Sequence, residues 1–258
     1  MSKQRVLIKI GGNALGRDDT TVADLVSLQN RGYRPVVVHG GGKTITEWLE
    51  RMDVPTRFVE GLRVTDAGSI DVVVAVLAGL MNKRIVAEIN AAGGRAVGLC
   101  GADGGMLRAR VKDPELGLVG AISSVDAALL ETLLGDGYIL VIAPIGVLDD
   151  SQGAGTLLNI NADSVAAEIG AAVGASQFVF MTDVPGVRGR DGEIVPELSA
   201  EEARGLIAEG VIAGGMIPKV EACLEAVQRV PLAVILDGRR PHALRDCMAG
   251  QQVGTRIG

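Results

Sequence analysis

Three charged residues occupy positions in the sequence where a charge needs a partner. Lys9 interrupts the apolar strand predicted for Arg5–Ile10, and a buried ammonium is costly unless it is paired. Asp163 falls in the first turn of a helix that Asn161 is predicted to cap. Lys219 falls in the first turn of another predicted helix, where the dipole disfavours a cation by about 0.3–1 kcal/mol. Two lysines that Asp163 organises around a phosphate would satisfy these charges, whereas an ordinary capped helix with surface lysines is the open alternative.

Glycine-rich turns follow the first two predicted strands. Gly11-Gly12 ends the first strand, and His39–Thr44 (HGGGKT) follows the strand Pro35–Val38. Glycines at these strand ends let a ligand approach the backbone, and free amides at a helix start can cradle an anion. The Walker A pattern fails because Val37 stands where it needs a glycine, and the G-x-G-x-x-G pattern fails at Ile45. The turns therefore predict an anion site without a standard nucleotide motif.

Four further polar features have two interpretations each. His39 is expected to be structural rather than a base, and Lys43 is most simply a surface lysine on the following helix. Arg63, in the hairpin predicted for Thr56–Thr65, is either an ordinary surface arginine or a fork for a carboxylate. The loop Thr182–Val187 either borders a base or ribose or is a plain turn.

Strands and helices alternate along the chain, which predicts an α/β fold. Apolar residues make up 48% of the sequence and aromatic residues only 2%, a composition that suits parallel strands buried on both faces. We expect a three-layer sandwich around a mostly parallel, doubly wound central sheet. Outside this alternation, Leu107–Val111 and Leu118–Ile122 predict a hairpin, and Ser124–Gly135 predicts a helix.

Composition excludes several classes of protein. The net charge of −6 and the scarcity of aromatic residues argue against a nucleic-acid partner. Cys100, Cys223 and Cys247 are too few and too widely spaced for a disulfide framework or a zinc site. The chain starts almost directly with a strand, and its longest apolar run, Val72–Leu80, is far shorter than the ~18 residues of a membrane span. We therefore expect a cytoplasmic protein without a membrane partner.

The predicted helix Asp66–Ala92 indicates an oligomer. Between Ile70 and Met81 this helix is apolar on nearly every side, so it must be buried all round. A sheet can cover only one of its faces. We therefore expect helix 66–92 to form the core of a homodimer interface.

Together these motifs resemble those of the amino acid kinase family, and the resemblance covers essentially the whole chain. Each motif is weak alone, but their number, order and spacing argue against coincidence. They are Lys9–Gly12, Val38–Gly42, Glu60–Thr65, Asn159–Asp163, Thr182–Val187, Gly215–Val220 and Gly254–Ile257. The resemblance implies one domain over residues 1–258. Its N-terminal lobe, about 1–174, would serve the acyl substrate and dimerisation, and its C-terminal lobe, about 175–258, would serve ATP.

Within the family, the motifs are most similar to those of members that phosphorylate N-acetyl-L-glutamate for arginine biosynthesis. The resemblance implies that ATP gives its γ-phosphoryl group to the side-chain carboxylate, with Mg²⁺ held mainly by the phosphates and no metal ligand among the residues. Lys9 and Lys219 would stabilise the transferring group, and Asp163 would hold both lysines. A carboxylate needs no general base at pH 7, so this chemistry requires positioning and charge stabilisation.

The resemblance also implies residues for binding. Gly40 and Gly41 would give amides to the reacting carboxylate, and Arg63 and Asn159 would hold the α-carboxylate end. The implied nucleotide-binding residues are Gly11, Gly12, Asp183, Val184, Pro185, Gly186, Val187, Val211, Ile212 and Ala213.

Two rivals on the same fold stay open. An acetylated or carrier-linked aminoadipate differs from the glutamate compound by one methylene, which discriminates by only ~1–3 kcal/mol, although the Glu60–Thr65 stretch favours glutamate. A non-catalytic nucleotide- or amino-acid-sensing protein is the other rival, and the presence of both lysines and Asp163 argues against it. The loop Ser151–Gly155 is longer than the family pattern, and no N-terminal helical extension precedes the first strand. We therefore expect a dimer without strong arginine feedback.

Overall fold

Residues 4–11, 20–149 and 155–258 are described by the computed structural model. Its strands are β1 (Arg5–Ile10), β2 (Arg34–His39), β3 (Phe58–Val59), β4 (Leu62–Arg63), β5 (Ala96–Cys100), β6 (Leu107–Val111), β7 (Val119–Val125), β8 (Ile139–Ala143), β9 (Ile145–Leu148), β10 (Leu157–Ile160), β11 (Gln177–Thr182), β12 (Glu197–Leu198), β13 (Ala233–Asp237) and β14 (Thr255–Ile257). Its α-helices are α1 (Thr21–Asn30), α2 (Gly42–Arg51), α3 (Ile70–Val74), α4 (Asn82–Ala91), α5 (Ala128–Gly135), α6 (Ala162–Ala172), α7 (Ala200–Ala208), α8 (Ile217–Ala226) and α9 (Ala243–Met248).

The central sheet has eight strands in the order β12-β14-β13-β11-β1-β2-β8-β5. Neighbouring strands run parallel except β13 and β14, which are antiparallel. Because β1, β2 and β11 are parallel, their carboxyl ends meet at one edge, where ligands bind in open α/β sheets. Gly11, Gly40 and Asp183 follow these three strands.

Helices cover both faces of this sheet. Val6, Ile8 and Ile10 of β1 pack into a core shared with α1, α4 and α9, while Leu7 packs into the core on the other face with α5, α6, α7 and α8. Lys9 shares the face of Leu7 because side chains alternate along a strand, so it points toward α6. The predicted three-layer α/β sandwich is confirmed.

The alternation of strands and helices breaks down between residues 107 and 160. There β6, β7, β9 and β10 form a small closed β-structure of their own, and β6 and β7 make the predicted hairpin. The helix predicted from Ser124 is wrong at its start, because Ser124 still pairs with Arg108 in the hairpin. The helix α5 begins only at Ala128, whose amide donates to Asp126 Oδ1 at 2.9 Å.

Residues 70–91 form a continuous helix in which α3 and α4 flank a π-helical stretch, Ala75–Met81. The helix does not begin at Asp66 as predicted, because Asp66 forms the preceding turn, where its Oδ1 accepts from Ser69 N at 2.9 Å. Much of the apolar surface of this helix is buried within the protomer against α2, including Val73 and Leu77. A homodimer interface on this helix stays a prediction. Within the described ranges, no helix is long and apolar enough to cross a membrane.

Candidate active site

Lys9 and Asp163 form an ion pair at the sheet edge. Lys9 Nζ lies 2.8 Å from Asp163 Oδ1, and the two side chains are only 12% and 26% exposed. The ammonium also lies 4.4 Å from the centre of the Phe180 ring, within the range of a cation–π contact. Asn161 caps α6 as predicted, since its Oδ1 accepts from the amides of Asp163 at 2.8 Å and Ser164 at 3.2 Å. Lys9 therefore does not point into solvent, and the cap fixes the carboxylate that holds it.

The thiol of Cys223 lies buried on α8 beside this ion pair. Burial raises the pKa of Cys223 most strongly, the negative charge of Asp163 raises it further, and Lys9 lowers it. Because the thiolate is the nucleophilic form, this cysteine is a packing residue rather than a reactive group.

A cavity of about 400 Å³, which we call the lysine cavity, opens next to the ion pair. It is lined by Lys9, Gly11, Gly42, Lys43, Asp163, Phe180, Thr182, Asp183, Pro218 and Lys219. Lys219 does not contact Asp163 here, because its Nζ donates to Gly215 O at 2.9 Å within its own turn. The three predicted catalytic residues thus border one space, but only Lys9 is held by Asp163.

A second cavity of about 200 Å³, the arginine cavity, adjoins the first. Its polar lining includes Arg63, Asn159 and the backbone of Gly40, Gly41 and Gly42. Gly42 lines both cavities, so a group bound in one can meet a group bound in the other at this residue.

Arg63 is buried, with 7% of its surface exposed, and it points to the glycine edge. Its NH2 group donates to Gly42 O at 2.8 Å and to Thr46 Oγ1 at 2.7 Å, and its guanidinium lies 4.7 Å from the centre of the Phe58 ring. Burial lowers the pKa of Arg63 from its ordinary value. The surface-arginine interpretation is therefore wrong, because the guanidinium of Arg63 lies beside the glycine turn.

Asn159 is tied to the same hairpin through Thr65, a residue that the sequence reasoning did not single out. Asn159 Nδ2 donates to Thr65 Oγ1 at 3.0 Å, and the buried Thr65 donates to Arg63 O at 3.2 Å. This chain of hydrogen bonds fixes the distance between the two predicted carboxylate-binding residues. Burial of a threonine two residues after Arg63 could not be read from the sequence.

The glycine turn offers different amides from those expected. Gly40 N donates to Ile10 O at 3.0 Å, so the predicted donation from Gly40 to the reacting carboxylate is corrected. No side chain caps α2, which starts at Gly42 after the N-cap Gly41. The first-turn amides of a helix have no intrahelical acceptors. Gly41 and Gly42 therefore are the glycines whose amides can meet an anion.

His39 supports the glycine turn through its hydrogen bonds, and its ring is not positioned to act as a base. Its Nδ1 lies 3.0 Å from Gly40 O and its Nε2 lies 3.3 Å from Nδ2 of the buried Asn82, which fits an Nδ1-protonated, neutral ring. Burial lowers the pKa of His39 from 6.5 to about 4, against the raising effect of the Gly40 hydrogen bond. The structural role expected for His39 agrees with this geometry.

The burial of His39 predicts a stability loss in mild acid. Its folded pKa lies below its unfolded pKa, so the unfolded chain takes up the proton first, and stability falls as the pH drops from 6.5 to about 4. One pH unit between the two pKa values is worth about 1.4 kcal/mol, so the loss should reach about 3 kcal/mol. Urea unfolding of the wild type and of His39→Gln measures it. Equal pH dependence in both proteins would contradict the prediction.

The glycine at position 41 is required by packing on the π-helical stretch. A Cβ there would lie 2.5 Å from Met81 Sδ and 2.6 Å from Leu77 Cδ2. We expect Gly41→Ala to lower the free energy of unfolding by about 1–3 kcal/mol, because both side chains must move. Gly42→Ala is the matched control, since nothing lies within 4 Å of its added Cβ. Equal unfolding curves for the two variants would contradict this account.

The predicted nucleotide loops divide into cavity and core residues. Asp183 lines the lysine cavity, whereas Val187 and Ile212 are buried in the core, and Val187 N donates to Thr255 Oγ1 at 2.8 Å. Gly186 has a φ of 149°, and a Cβ there would lie 2.8 Å from Thr255 Oγ1. Gly12 and residues 151–154 of the predicted Ser151–Gly155 loop lie outside the described residues. The side chains of these loops therefore serve packing more than expected.

In residues 4–11, 20–149 and 155–258, no group of three or more His, Cys, Asp or Glu side chains is arranged to hold a metal ion.

Comparison with known proteins identifies the family. The model of the amino acid kinase family matches residues 4–237. The acetylglutamate kinases of Granulibacter bethesdensis and Acidiphilium cryptum are each 46% identical, over 98% of this chain and 89% of theirs. The crystal structure of smu.665 from Streptococcus mutans UA159 has a TM-score of 0.82 and 29% identity, and the match covers 98% of both chains. This chain, with its lysine and arginine cavities meeting at one glycine turn, belongs to the amino acid kinase family.

Proposed function

We propose that this protein transfers the γ-phosphoryl group of ATP to the side-chain carboxylate of N-acetyl-L-glutamate. The product is N-acetyl-L-glutamyl 5-phosphate, an intermediate of arginine biosynthesis. The observation that carries the proposal is the meeting of a lysine-lined cavity and an arginine-lined cavity at Gly42. The names of the relatives at 46% identity support the choice of acceptor.

The reaction joins two anions without a general base. A carboxylate oxygen of the acceptor forms a bond to the γ-phosphorus, and the bond from that phosphorus to the β,γ-bridging oxygen breaks. The electron pair of the broken bond stays on ADP. Because the acceptor is already ionised at neutral pH, the protein's task is to align the two groups and to balance their negative charge.

The charged residues of the lysine cavity match that task. Lys9 presents an ammonium on one side, and its ion pair with Asp163 at 2.8 Å fixes the position of that charge. Lys219 approaches from α8 and exchanges its hydrogen bond to Gly215 O for one to the phosphoryl group. Asp163 in this role positions Lys9 directly, and Lys219 joins the cluster when the nucleotide is bound.

The residues of the arginine cavity match the acceptor. Arg63 keeps guanidinium donors beyond those used on Gly42 and Thr46, so it can bind the α-carboxylate as a fork, with Asn159 beside it. The amides of Gly41 and Gly42 would receive the side-chain carboxylate at the start of α2. These residues precede position 174, as the proposed acceptor lobe requires, whereas the lysine cavity is lined by residues on both sides of that position.

The nucleotide is proposed to bind as its Mg²⁺ complex. Asp163 and Asp183 are the carboxylates lining the lysine cavity, and Asp163 is paired with Lys9, so the ion would be held mainly by the phosphates with Asp183 nearby. Bound Mg²⁺ supplies positive charge to the phosphate oxygens. The backbone of 184–187 and 211–213 would border the remainder of the nucleotide.

Trapping with hydroxylamine tests the reaction and its acceptor together. With Mg-ATP present, N-acetyl-L-glutamate should give hydroxamate at least ~10-fold faster than N-acetyl-L-aminoadipate, the discrimination that one methylene allows. A preference for the aminoadipate compound would keep the mechanism and replace the acceptor. Absence of hydroxamate from both, while ATP still binds, would overturn the catalytic proposal in favour of a sensor.

We also propose a cytoplasmic homodimer that uses the long helix of residues 70–91. An apolar groove of about 360 Å³ lies between this helix and α2, and Trp48 and Met52 on its rim are 37% and 56% exposed. The exposed Ala75 and the half-buried Leu80 also line the groove, and a second copy would cover this face. The free cysteines fit the reducing cytoplasm.

The apolar groove predicts that a charged side chain in its lining prevents dimerisation. Leu80→Glu should be monomeric because an unpaired carboxylate would be buried in the interface. Light scattering at micromolar concentration measures the mass of the variant and of the wild type. A monomeric wild type would contradict the dimer.

A further inference from the structure

Lys43 is the third lysine that lines the lysine cavity, together with Lys9 and Lys219. It is the second residue of α2 and follows Gly42, the residue that lines both cavities. Sequence reasoning treated Lys43 as an ordinary surface residue. Its position in the fold instead brings it to the junction where the acceptor and the nucleotide meet.

The three lysines differ in how their charges are satisfied. Lys9 pairs with Asp163, and Lys219 donates to Gly215 O. Lys43 is exposed, and it makes no ion pair or hydrogen bond within the part of the chain that is described. Its ammonium is thus available to a ligand without the loss of an internal contact.

The placement of this charge is unfavourable without an anion. Lys43 lies in the first turn of α2, where the helix dipole already presents positive charge, and no side chain caps that turn. An acidic residue would stabilise the helix at this position better than a lysine does. An ammonium at this junction fits a multiply charged phosphoryl group, next to the Gly41 and Gly42 amides that we assign to the acceptor carboxylate.

Arg63 holds the backbone turn on which Lys43 lies. Its NH2 group holds Gly42 O at 2.8 Å, and Thr46 Oγ1 donates to the same carbonyl at 3.0 Å. The first turn of α2 is therefore anchored by the residue that we assign to the acceptor. Lys43 cannot move away from the junction without the backbone of that anchored turn.

We infer that Lys43 is a further catalytic residue, whose ammonium binds the γ-phosphoryl group of ATP and stays on it as it becomes the phosphate of the acyl phosphate product. The inference rests on the proposed function for the acceptor. The contact between Lys43 and the γ-phosphate, however, forms on binding and does not require turnover. The affinity for ATP should therefore depend on Lys43, and the affinity for ADP should not.

Binding of two nucleotides tests the contact in the full-length protein. With Mg²⁺ present, the Kd for AMP-PNP and the Kd for ADP are measured by calorimetry for the wild type, Lys43→Gln, Lys43→Arg and Lys112→Gln. Lys112 is an exposed lysine that lines neither cavity, so its variant controls for the change in net charge. Lys43→Gln should weaken the affinity for AMP-PNP about 10-fold or more and change the affinity for ADP less than about 2-fold, because a charge-assisted contact is lost only at the γ-phosphate.

The other variants complete the test. Lys43→Arg should restore most of the AMP-PNP affinity, and Lys112→Gln should match the wild type. Thermal unfolding of Lys43→Gln without nucleotide should be unchanged or shifted upward, because a cation leaves a helix N-terminus. Equal weakening of AMP-PNP and ADP, or no weakening of either, would overturn the inference. If the affinity for AMP-PNP depends on Lys43 but no hydroxamate forms, the proposed acceptor is wrong, while the contact between Lys43 and the γ-phosphate is confirmed.

Discussion

Lys219→Ala is expected to fold normally and to lose at least ~10²-fold in turnover. The folded protein uses this side chain for one exposed hydrogen bond, from Nζ to Gly215 O at 2.9 Å. Its removal also takes a cation from the first turn of α8, so the free energy of unfolding should change by less than about 1 kcal/mol. Turnover should fall because, in the proposed function, the lysine's partner is the transferring phosphoryl group, which would then lose one of the cations that balance its charge.

Lys83→Ala is the matched control for this prediction. Lys83 Nζ donates to Gly98 O at 2.9 Å and to Asn82 Oδ1 at 3.1 Å, so the variant loses at least as many hydrogen bonds as Lys219→Ala, but it lies outside both cavities. Initial rates of hydroxamate formation at saturating Mg-ATP and acceptor compare the two variants. Near-normal turnover in Lys219→Ala would refute the role of Lys219.

Asp163→Asn should lose about 10²-fold in turnover while binding ADP as well as the wild type or better. The substitution keeps the shape of the side chain but removes the charge that lies 2.8 Å from Lys9 Nζ. Lys9 then loses the partner that fixes the position of its ammonium. Nucleotide affinity should not fall, because a negative charge leaves the cavity that we propose for the phosphates.

Glu168→Gln is the control on the same helix, since Glu168 pairs with Arg229 and does not line the lysine or arginine cavity. Asp163→Asn should lower the free energy of unfolding by about 1–3 kcal/mol, because the Asn161 cap persists but the largely buried Lys9 ammonium loses its ion-pair partner. Turnover is measured as for Lys219→Ala, and ADP affinity by calorimetry. A parallel loss of turnover and ADP affinity would indicate a folding defect instead of a positioning role.

Local patterns in the sequence predict most of the fold. Asn161 caps α6, and Ser199 forms a capping box with Glu202, because both motifs depend on residues within one turn of the chain. The central sheet follows from the alternation of apolar strands with helices. The error at Ser124 has a non-local cause, since its pairing with Arg108 in a hairpin extends β7 to Val125.

The candidate site is less accessible to sequence reasoning because its geometry depends on contacts distant in the chain. Burial of Arg63 against α2 decides between two interpretations that the sequence leaves even. The use of the Gly40 amide by Ile10 O requires the pairing of β1 with β2. Lys43 directly follows the glycine turn in the sequence, but only the position of Gly42 between the two cavities places it at their junction.

The central claim is that an oxygen of the acceptor's side-chain carboxylate attacks the γ-phosphorus of ATP. The most direct measurement uses N-acetyl-L-glutamate labelled with ¹⁸O in both oxygens of that carboxylate. Hydroxylamine attacks the acyl carbon, so the phosphate that it releases keeps the oxygen bridging carbon and phosphorus. The account predicts one ¹⁸O atom in each phosphate formed in an acceptor-dependent manner, measured by mass spectrometry. Phosphate without the label would mean that water or another group takes the phosphoryl group, and would contradict the account.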